Sequence, residues 1–303
     1  MPVERPSPCK INLCLNVLGP RPDGYHNLET VMHPLALSDR LECERTGTRV
    51  VLTCTRPDLP VDRSNLVVRA ANAFRAEAGL TDGIRMHLDK QVPMAAGLGG
   101  GSGNAAAALL ALNELFDFPL GGRELARLAA QLGSDVPFFL QSKPALATGR
   151  GEIIEPLDWF PALQGAWILL VHPGFGISTA WAYQSLKRFP EALHGRPGRA
   201  QRLVESLQSR TLDEASAGFY NSFEGPAFEK HPILALYVEF LRESGANAVL
   251  MSGSGSAVFA LASSQDAARA LRDRFLARFG TSPWTEVLPV GPSCACGLGP
   301  RCP

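Results

Sequence analysis

The chain has 303 residues, of which 46% are hydrophobic and 19% charged, as is usual for a globular protein of one large or two moderate domains. Basic and acidic residues each number 29, so the net charge is zero and a nucleic-acid surface is not expected. No apolar run approaches about 20 residues, and the N-terminus lacks a signal-peptide pattern, so we predict a cytoplasmic protein with no membrane-spanning segment. We also expect no obligatory protein partner.

The seven cysteines are predicted to be free thiols. Four of them lie in or near strand-like segments: Cys9, Cys14, Cys43 and Cys54. The other three lie in a Gly/Pro-rich tail: Cys294, Cys296 and Cys302. Three thiols without a nearby fourth ligand match no zinc spacing, so we predict a poorly ordered tail from about residue 291.

The first predicted strand covers residues 8–18, where polar and apolar residues alternate with a period of two. The apolar face carries Ile11, Leu13, Leu15 and Val17, and the other face carries Lys10, Asn12, Cys14 and Asn16. The strand thus places an ammonium beside an amide, although a lysine that is merely solvated is the simpler alternative for Lys10. A turn at 19–24 leads to Tyr25 and His26, and strand-like runs follow at 29–37, 40–45 and 49–54.

A helix capped by Ser64 or Asn65 is predicted to run to about Ala78 and to stop at Gly79. A strand at 84–88 follows, and the glycine-rich stretch 93–104 connects it to a predicted helix at 105–115. The order strand, glycine-rich loop, helix favours a phosphate site, because glycine lets the backbone approach a ligand and the helix start offers free N–H groups.

The glycine-rich stretch is not a P-loop, since no Gly-Lys-Ser/Thr occurs, and its dinucleotide pattern at 101–106 lacks convincing context. A plain flexible loop is the structural alternative. Ser102 is predicted either to cap the helix or to offer its hydroxyl to a phosphate or to Mg²⁺. A second Ser/Gly loop at 253–256 is predicted either to close over the first or to be a simple hairpin turn.

The rest of the chain predicts an α+β protein. An amphipathic helix with Leu125, Leu128 and Leu132 ends at Gly133, after which Ser134 or Asp135 is predicted to cap a helix. Residues 145–155 are predicted to contain two short strands joined by a turn at Thr-Gly-Arg-Gly-Glu, and a domain joint is predicted at 158–165. Further predicted segments are a strand at 166–171, helices near 178–188, 199–209, 226–244 and 265–279, a loop at 189–200 and a hairpin at 248–260.

Phosphoryl transfer needs a phosphate site and a positioned nucleophile. No activated serine or cysteine is visible, so the nucleophile is expected to come from the substrate and to need a base. Lys10 and Asp135 are the best pair for that task, but sequence spacing alone does not place them together, and an aspartate before Val-Pro is often only a helix cap.

Three segments together resemble the GHMP kinases: the Lys10 strand near the N-terminus, residues 93–108 and residues 252–260. Seven motifs narrow the resemblance within that family, and they follow the family's order from about residue 8 to about 290. They are Pro-Cys-Lys-Ile-Asn-Leu at 8–13, Asp-Gly-Tyr-His at 23–26, Ser-Asn-Leu-Val-Val at 64–68, Gly-Gly-Gly-Ser at 99–102, Gly-Ser-Asp-Val-Pro-Phe at 133–138, Gly-Arg-Gly-Glu at 149–152 and His-Pro-Gly at 172–174. The resemblance implies a two-domain GHMP kinase fold of the α+β class. Residues 1–155 would form a ribosomal protein S5 domain 2-like domain, and residues 156–303 a ferredoxin-like domain.

The resemblance also implies a reaction, in which ATP with Mg²⁺ phosphorylates the 2-hydroxyl of 4-diphosphocytidyl-2-C-methyl-D-erythritol, a substrate with a cytidine diphosphate group, in the non-mevalonate isoprenoid pathway. Asp135 would be the general base and Lys10 its cationic partner, while Asn12 and Thr179 would bind the substrate. His26 would read the cytosine, with Tyr25 and Tyr183 stacked on it. The residues implied for ATP are Asn65, Leu66, Pro93, Met94, Ala95, Ala96, Gly97, Leu98, Gly99, Gly100, Gly101, Ser102 and Gly103.

The chain departs from the family pattern in one place. Gly103 and Asn104 stand where the family often has serine and aspartate, so the Mg²⁺ ligands are not assigned beyond Ser102. Another GHMP kinase, such as a homoserine or mevalonate kinase, is one alternative, but Tyr25 and His26 argue against it because those substrates carry no base. A sensor without turnover is another, against which Lys10, Asp135 and the glycine-rich stretch argue.

Overall fold

The computed structural model describes residues 1–291, which contain both helices and strands. The strands are β1 (Val3–Pro20), β2 (His26–Arg45), β3 (Val50–Cys54), β4 (Ile84–Asp89), β5 (Ala145–Thr148), β6 (Ile153–Pro156), β7 (Trp167–His172), β8 (Tyr220–Asn221), β9 (Ala248–Met251), β10 (Val258–Ala262) and β11 (Trp284–Pro289). The predicted poorly ordered tail, with Cys294, Cys296 and Cys302, lies outside the described residues.

The α-helices are α1 (Leu66–Glu77), α2 (Gly100–Leu115), α3 (Gly122–Leu132), α4 (Thr179–Ser185), α5 (Pro190–Leu193), α6 (Arg199–Ser209), α7 (Leu212–Ser216), α8 (Glu224–Lys230), α9 (Pro232–Glu243) and α10 (Gln265–Phe279). Short 3₁₀ helices cover Pro137–Leu140, Pro161–Leu163 and Leu186–Arg188. Within residues 1–291, no helix is long and apolar enough to cross a membrane.

Most predicted elements are confirmed, and the differences have local causes. The runs at 29–37 and 40–45 form one continuous strand, β2. The single helix predicted at 226–244 is two helices, because Pro232 cannot donate a backbone hydrogen bond and instead begins α9. The sequence pattern missed four short or irregular elements: α5, α7, β8 and β11.

The described chain divides into two compact units. The first unit contains Met1–Cys9, Leu37–Val92 and Gly99–Ser142. In it, the second half of β2 pairs antiparallel with β4, and β3 pairs parallel with β4. Helices α1, α2 and α3 pack on one another, and α2 is buried along most of its length because its face is made of small alanines.

The second unit contains Lys10–Ala36, Pro93–Leu98 and the chain from Lys143 onward. The first half of β2 pairs with β5, which forms a hairpin with β6, and β1 pairs parallel with the short strand β8. A separate four-stranded antiparallel sheet has the order β11-β7-β10-β9. Its core includes Leu169, Val171, Val258 and Phe275, which are fully buried. The predicted domain boundary after residue 155 stays a prediction.

The cysteines of the described chain are free thiols, as predicted: Cys9, Cys14, Cys43 and Cys54. Burial raises the pKa of Cys14 to about 12, with the nearby Glu29 carboxylate as a further cause. A thiol with such a pKa is almost entirely protonated at neutral pH, so Cys14 is expected to be an unreactive core residue.

A buried histidine lies on β2 within the second unit. His33 is fully buried against the rings of Trp159 and Phe160. Its Nδ1 lies 2.8 Å from the carbonyl oxygen of Pro34, and its Nε2 has no hydrogen-bond partner among the described residues. Burial lowers the pKa of His33 to about 4 from its ordinary 6.5, although the bond to Pro34 opposes the shift. The folded protein therefore holds His33 neutral.

We predict that His33 makes the fold sensitive to acid. Because the pKa is lower in the folded state, the unfolded state binds more protons, so stability is lost as the pH falls from about 6.5 to about 4. Between pH 7 and about pH 4.5, protonation of His33 in the unfolded state alone lowers the free energy of unfolding by about 2.5 kcal/mol. Denaturant unfolding of His33→Gln should show a weaker acid dependence by about that amount, whereas the exposed His87→Gln should match the wild type. Equal acid dependence in all three proteins would contradict the prediction.

Candidate active site

The glycine segment, residues 93–103, enters α2 earlier than the sequence predicts. Helix α2 begins at Gly100 instead of 105, with Gly99 as N-cap in the left-handed conformation (φ 71°) and no side-chain cap. Ser102 lies within the first turn, so the expectation that it caps the helix is wrong, because the chain has already entered the helix at Gly99. The first N–H groups of a helix have no intrahelical partner and attract anions. This end of α2 is therefore suited to phosphate.

Gly103 lets the first turn of α2 pack directly on the start of β1. A Cβ at Gly103 would lie 2.7 Å from the carbonyl oxygen of Pro8 and 3.0 Å from Ser7 Oγ. A serine, which the family often has at this position, would require the neighbouring backbone to shift. The departure from the family pattern at Gly103 thus goes with close packing in this protein.

A buried ion pair holds the residues after β4 against α2. Lys90 Nζ donates to Asp39 Oδ2 and, at 3.4 Å, to Asn104 Oδ1. Asn104 Nδ2 donates to Asp39 Oδ2 and to Ser7 Oγ, each at 2.8 Å. The Asp39 side chain is fully buried, and its Oδ1 accepts two backbone N–H groups. Asn104 and Asp39 therefore serve packing within the first unit, and the oxygens of Asp39 are already occupied.

The loop at 252–257 holds the beginning of the glycine segment through its backbone. Ala257 N donates to the carbonyl oxygen of Ala96 at 2.9 Å, and Ser252 Oγ donates to that of Gly97 at 3.0 Å. Gly97 is left-handed (φ 78°), and a Cβ there would overlap the Ser252 carbonyl oxygen. The Ser/Gly loop is therefore both the predicted hairpin turn and a support for the glycine segment.

The other two serines of this loop contact the segment that leads into α4. Ser256 Oγ donates to the carbonyl oxygen of Phe175, and Ser254 Oγ lies 3.0 Å from Thr179 Oγ1. Thr179, a predicted substrate-binding residue, is the first residue of α4 and is exposed. Through its three serines, one loop contacts both the glycine segment and the start of α4.

Lys10 is buried at the glycine segment, so the simpler alternative of a solvated lysine is wrong. Its side chain donates to Asn12 Oδ1 at 2.6 Å and to the carbonyl oxygen of Gly97 at 3.2 Å, and its residue is 3% exposed. Its backbone N–H donates to the carbonyl oxygen of Leu98 at 2.9 Å. Asn12 Nδ2 in turn donates to Thr30 Oγ1 at 2.8 Å. The amide is thereby fixed with its oxygen toward the ammonium group.

Asp135 lies in the first unit, in the turn between α3 and the 3₁₀ helix Pro137–Leu140. That helix begins with Pro137 and has no side-chain cap, so the expectation that Ser134 or Asp135 caps it is wrong. Proline needs no N–H partner at the first helical position, which removes the need for a cap at that residue. Asp135 is partly exposed.

The two residues predicted to lie by adenine begin α1. Asn65 is the N-cap, since its side-chain oxygen accepts the N–H of Val67 at 2.9 Å, while its amide donates to Pro60. Leu66 is partly exposed, and a Cβ on Gly101 would lie 3.8 Å from its Cδ1. The start of α1 therefore lies close to the start of α2 within the first unit.

Tyr25, His26 and Tyr183, which are predicted to bind the cytosine, are not arranged as two tyrosine rings that face each other across an open gap. The His26 ring stacks on Tyr183, with centroids 4.8 Å apart and planes at 25°, and Tyr183 packs edge-on against Phe223. Tyr25 is 53% exposed and has the guanidinium carbon of Arg150 at 4.5 Å from its ring centroid. His26 and Tyr183 are thus brought together, while Tyr25 is paired with Arg150, which the sequence places in a motif but does not indicate as a site residue.

Two family models match the chain: GHMP kinases N terminal domain over residues 65–143 and GHMP kinases C terminal over residues 192–281. The 4-diphosphocytidyl-2-C-methyl-D-erythritol kinase of Synechococcus sp. (strain JA-3-3Ab) is 40% identical over 93% of each chain. The chain belongs to the GHMP kinases. A relative of the same name from Pelotomaculum thermopropionicum is 43% identical over 88% of this GHMP kinase and 91% of the relative.

Solved structures confirm the fold class. A crystal structure of 4-(cytidine 5'-diphospho)-2C-methyl-D-erythritol kinase matches with a TM-score of 0.74 and 36% identity, over 95% of this GHMP kinase and all of that chain. The homoserine kinase of Cytophaga hutchinsonii matches with the same TM-score at 18% identity, over 95% of both chains, which shows the fold alone. The predicted two-domain GHMP kinase fold of the α+β class is therefore confirmed.

We predict that a methyl group on Gly97 is far more damaging than one on an unconfined glycine. Gly245 is the matched control, because it is also left-handed (φ 89°) but has no atom within 4 Å of an added Cβ. Backbone strain alone should cost Gly245→Ala about 1–2 kcal/mol of unfolding free energy, whereas overlap with Ser252 should raise the cost of Gly97→Ala above about 3 kcal/mol. Denaturant unfolding of both variants measures the difference, and equal losses would show that the two loops are not tightly packed.

Proposed function

We propose that this chain transfers the terminal phosphoryl group of ATP to the 2-hydroxyl of 4-diphosphocytidyl-2-C-methyl-D-erythritol. The observation that carries this proposal is that relatives with this activity in their names are about 40% identical over about nine-tenths of both chains. The aromatic residues Tyr25, His26 and Tyr183 support it, because a substrate with a base needs flat side chains to stack on. Homoserine kinase shares only the fold, so no second function is proposed.

ATP is proposed to bind with its phosphates at the glycine segment, where the N-terminal N–H groups of α2 point. Asn65 and Leu66, at the start of α1, would lie beside the adenine. Mg²⁺ usually binds through substrate phosphates and one or two protein oxygens. Residues 1–291 contain no cluster of three His, Cys, Asp or Glu side chains suited to a metal, and the oxygens of Asp39 are occupied. The Ser102 hydroxyl is the protein ligand that we propose.

Asp135 is proposed as the general base and Lys10 as its cationic partner. An alcohol is a far weaker acid than a carboxylic acid, so the carboxylate cannot remove the proton before the phosphoryl group moves. Proton transfer must therefore accompany a loose transition state, in which positioning and charge supply most of the acceleration. The ammonium of Lys10 is held by the carbonyl oxygen of Gly97. This fixed position supports the proposal that Lys10 stabilises the negative charge that develops as the substrate hydroxyl attacks.

Asn12 and Thr179 are proposed to hold the methylerythritol part of the substrate, and His26 to read the cytosine. Burial lowers the pKa of His26 below its ordinary 6.5, and the nearby Lys187 charge lowers it further. A neutral imidazole has one donor and one acceptor nitrogen, which suits the edge of a base that presents both kinds of group. Tyr25 and Tyr183 would then supply the stacking surfaces. The cytoplasmic location stays a prediction.

We predict that Asp135→Asn lowers kcat by about 100-fold or more, because a positioned general base contributes on that scale. The KM for the cytidyl substrate should change little, since an amide keeps the shape of the side chain. Turnover of wild type and variant can be followed by ³¹P NMR, in which the wild type should yield a new phosphomonoester signal while the substrate's diphosphate stays intact.

Asp58→Asn is the matched control, because Asp58 is an exposed aspartate of the same unit that pairs with Arg56 at the surface. It should retain wild-type turnover. Near-normal turnover of Asp135→Asn would remove Asp135 from the mechanism. Cleavage of the diphosphate in place of a new monoester would contradict the proposed reaction itself.

A further inference from the structure

The turn between β5 and β6 lies beside the residues that are proposed to bind the base. Leu28 N, two residues beyond His26, donates to the carbonyl oxygen of Gly149 in this turn at 2.9 Å. Gly149 is left-handed (φ 72°), and Gly151 N closes the turn by donating to Thr148 at 3.0 Å. The turn is therefore fixed to β2 immediately after Tyr25 and His26.

Arg150, at the tip of this turn, is held by its own neighbour Glu152. The backbone N–H of Arg150 donates to Glu152 Oε2 at 2.6 Å, and its Nε donates to Oε1 at 3.4 Å. The two side chains are 28% and 21% exposed, so the pair is partly shielded from solvent. The guanidinium group thus has a defined place, with its central carbon 4.5 Å from the Tyr25 ring centroid.

Tyr25 is a largely exposed residue, so a contact that restricts its ring matters. Its backbone is tied to the preceding turn, since its carbonyl oxygen accepts Arg21 N at 2.7 Å and its N–H donates to Asp23 at 3.2 Å. Its side chain, however, belongs to a residue that is 53% exposed. An aromatic ring in solvent samples several rotamers, and fixing one of them on ligand binding costs conformational entropy. A guanidinium group on one face restricts the ring beforehand.

We propose that Arg150 is a positioning residue that holds Tyr25 so that the face opposite the guanidinium receives the cytosine ring. This inference rests on the proposed function and deepens it by naming what orients the base-stacking tyrosine. The cation also draws electron density toward its own side of the ring, as cation–π contacts do. Arg150 acts on binding of the base and not on the phosphoryl transfer step.

Steady-state kinetics of Arg150→Ala test the proposal. We expect the KM for the cytidyl substrate to rise about three- to fivefold, with kcat within about twofold of the wild type. Arg269→Ala, which removes an exposed arginine from α10, should leave both constants unchanged. Arg150→Gln, which keeps most of the side chain but lacks the cation, serves if the alanine variant folds poorly. An unchanged KM in a folded Arg150 variant would overturn the proposal.

Two further measurements separate positioning of Tyr25 from a direct contact between Arg150 and the substrate diphosphate. Cytidine, which has no phosphate, should lose affinity as a competitive inhibitor by the same factor as the full substrate. In a Tyr25→Ala background, Arg150→Ala should raise KM by less than about 1.5-fold further, because the group that it positions is gone. A loss seen only with the diphosphate compound, or an undiminished loss without Tyr25, would overturn the proposal.

Different outcomes of these measurements would contradict the proposed function and the role of Arg150. If the wild type shows no turnover with the cytidyl compound, the proposed function is wrong. If the wild type turns over and cytidine inhibits it, while Arg150→Ala behaves like the wild type, only the role of Arg150 is wrong.

Discussion

The arrangement of the second unit around the beginning of the glycine segment depends on a backbone contact between two loops. The carbonyl oxygens of Ala96 and Gly97 accept hydrogen bonds from the loop at 252–257, and Gly97 approaches so closely that no side chain fits there. Lys10 then bonds to the same carbonyl oxygen of Gly97. Two segments that are about 150 residues apart in the chain are thereby held in one geometry, which no flexible loop could maintain alone.

Burial of polar groups on β1 is the second constraint. Lys10 and Asn12 are almost fully buried, and a buried ammonium group costs several kcal/mol unless partners compensate it. Here the amide of Asn12 and the backbone of Gly97 are among those partners. In the proposed mechanism, groups fixed in this way would need no rearrangement when substrate binds, which is how a preorganised site lowers a barrier. The polar face of β1, which the sequence suggests is exposed to solvent, is buried in the structure.

The sequence predicts the regular elements well because their hydrophobic periods are strong, as in β1, β4, α3 and α10. It predicts less well where tertiary contacts decide. The helix α2 begins at Gly100 because the chain turns at Gly99, a choice that glycine propensity alone would not favour. The strand β11 has no strongly alternating apolar pattern and depends on pairing with β7. The errors are therefore boundaries at glycine and proline and short elements that have no strong hydrophobic period.

Some site residues can be predicted from local motifs, whereas others depend on contacts between distant parts of the chain. Local motifs are enough to single out Lys10, Asn12 and the glycine segment as candidates, since each motif is contiguous in the chain. Arg150 was not found as a site residue, although its turn was recognised, because a cation–π contact joins residues that are 125 positions apart. The stacking of His26 on Tyr183 likewise depends on how β2 and α4 meet.

The most direct test of the account is an ADP-release assay with ATP and Mg²⁺, run in parallel with 4-diphosphocytidyl-2-C-methyl-D-erythritol, mevalonate, homoserine and galactose. We predict ADP release with the cytidyl compound and none above background with the other three. Turnover with mevalonate or homoserine would contradict the assigned substrate, and ATP binding without turnover of any compound would contradict the assignment of this chain as a working kinase.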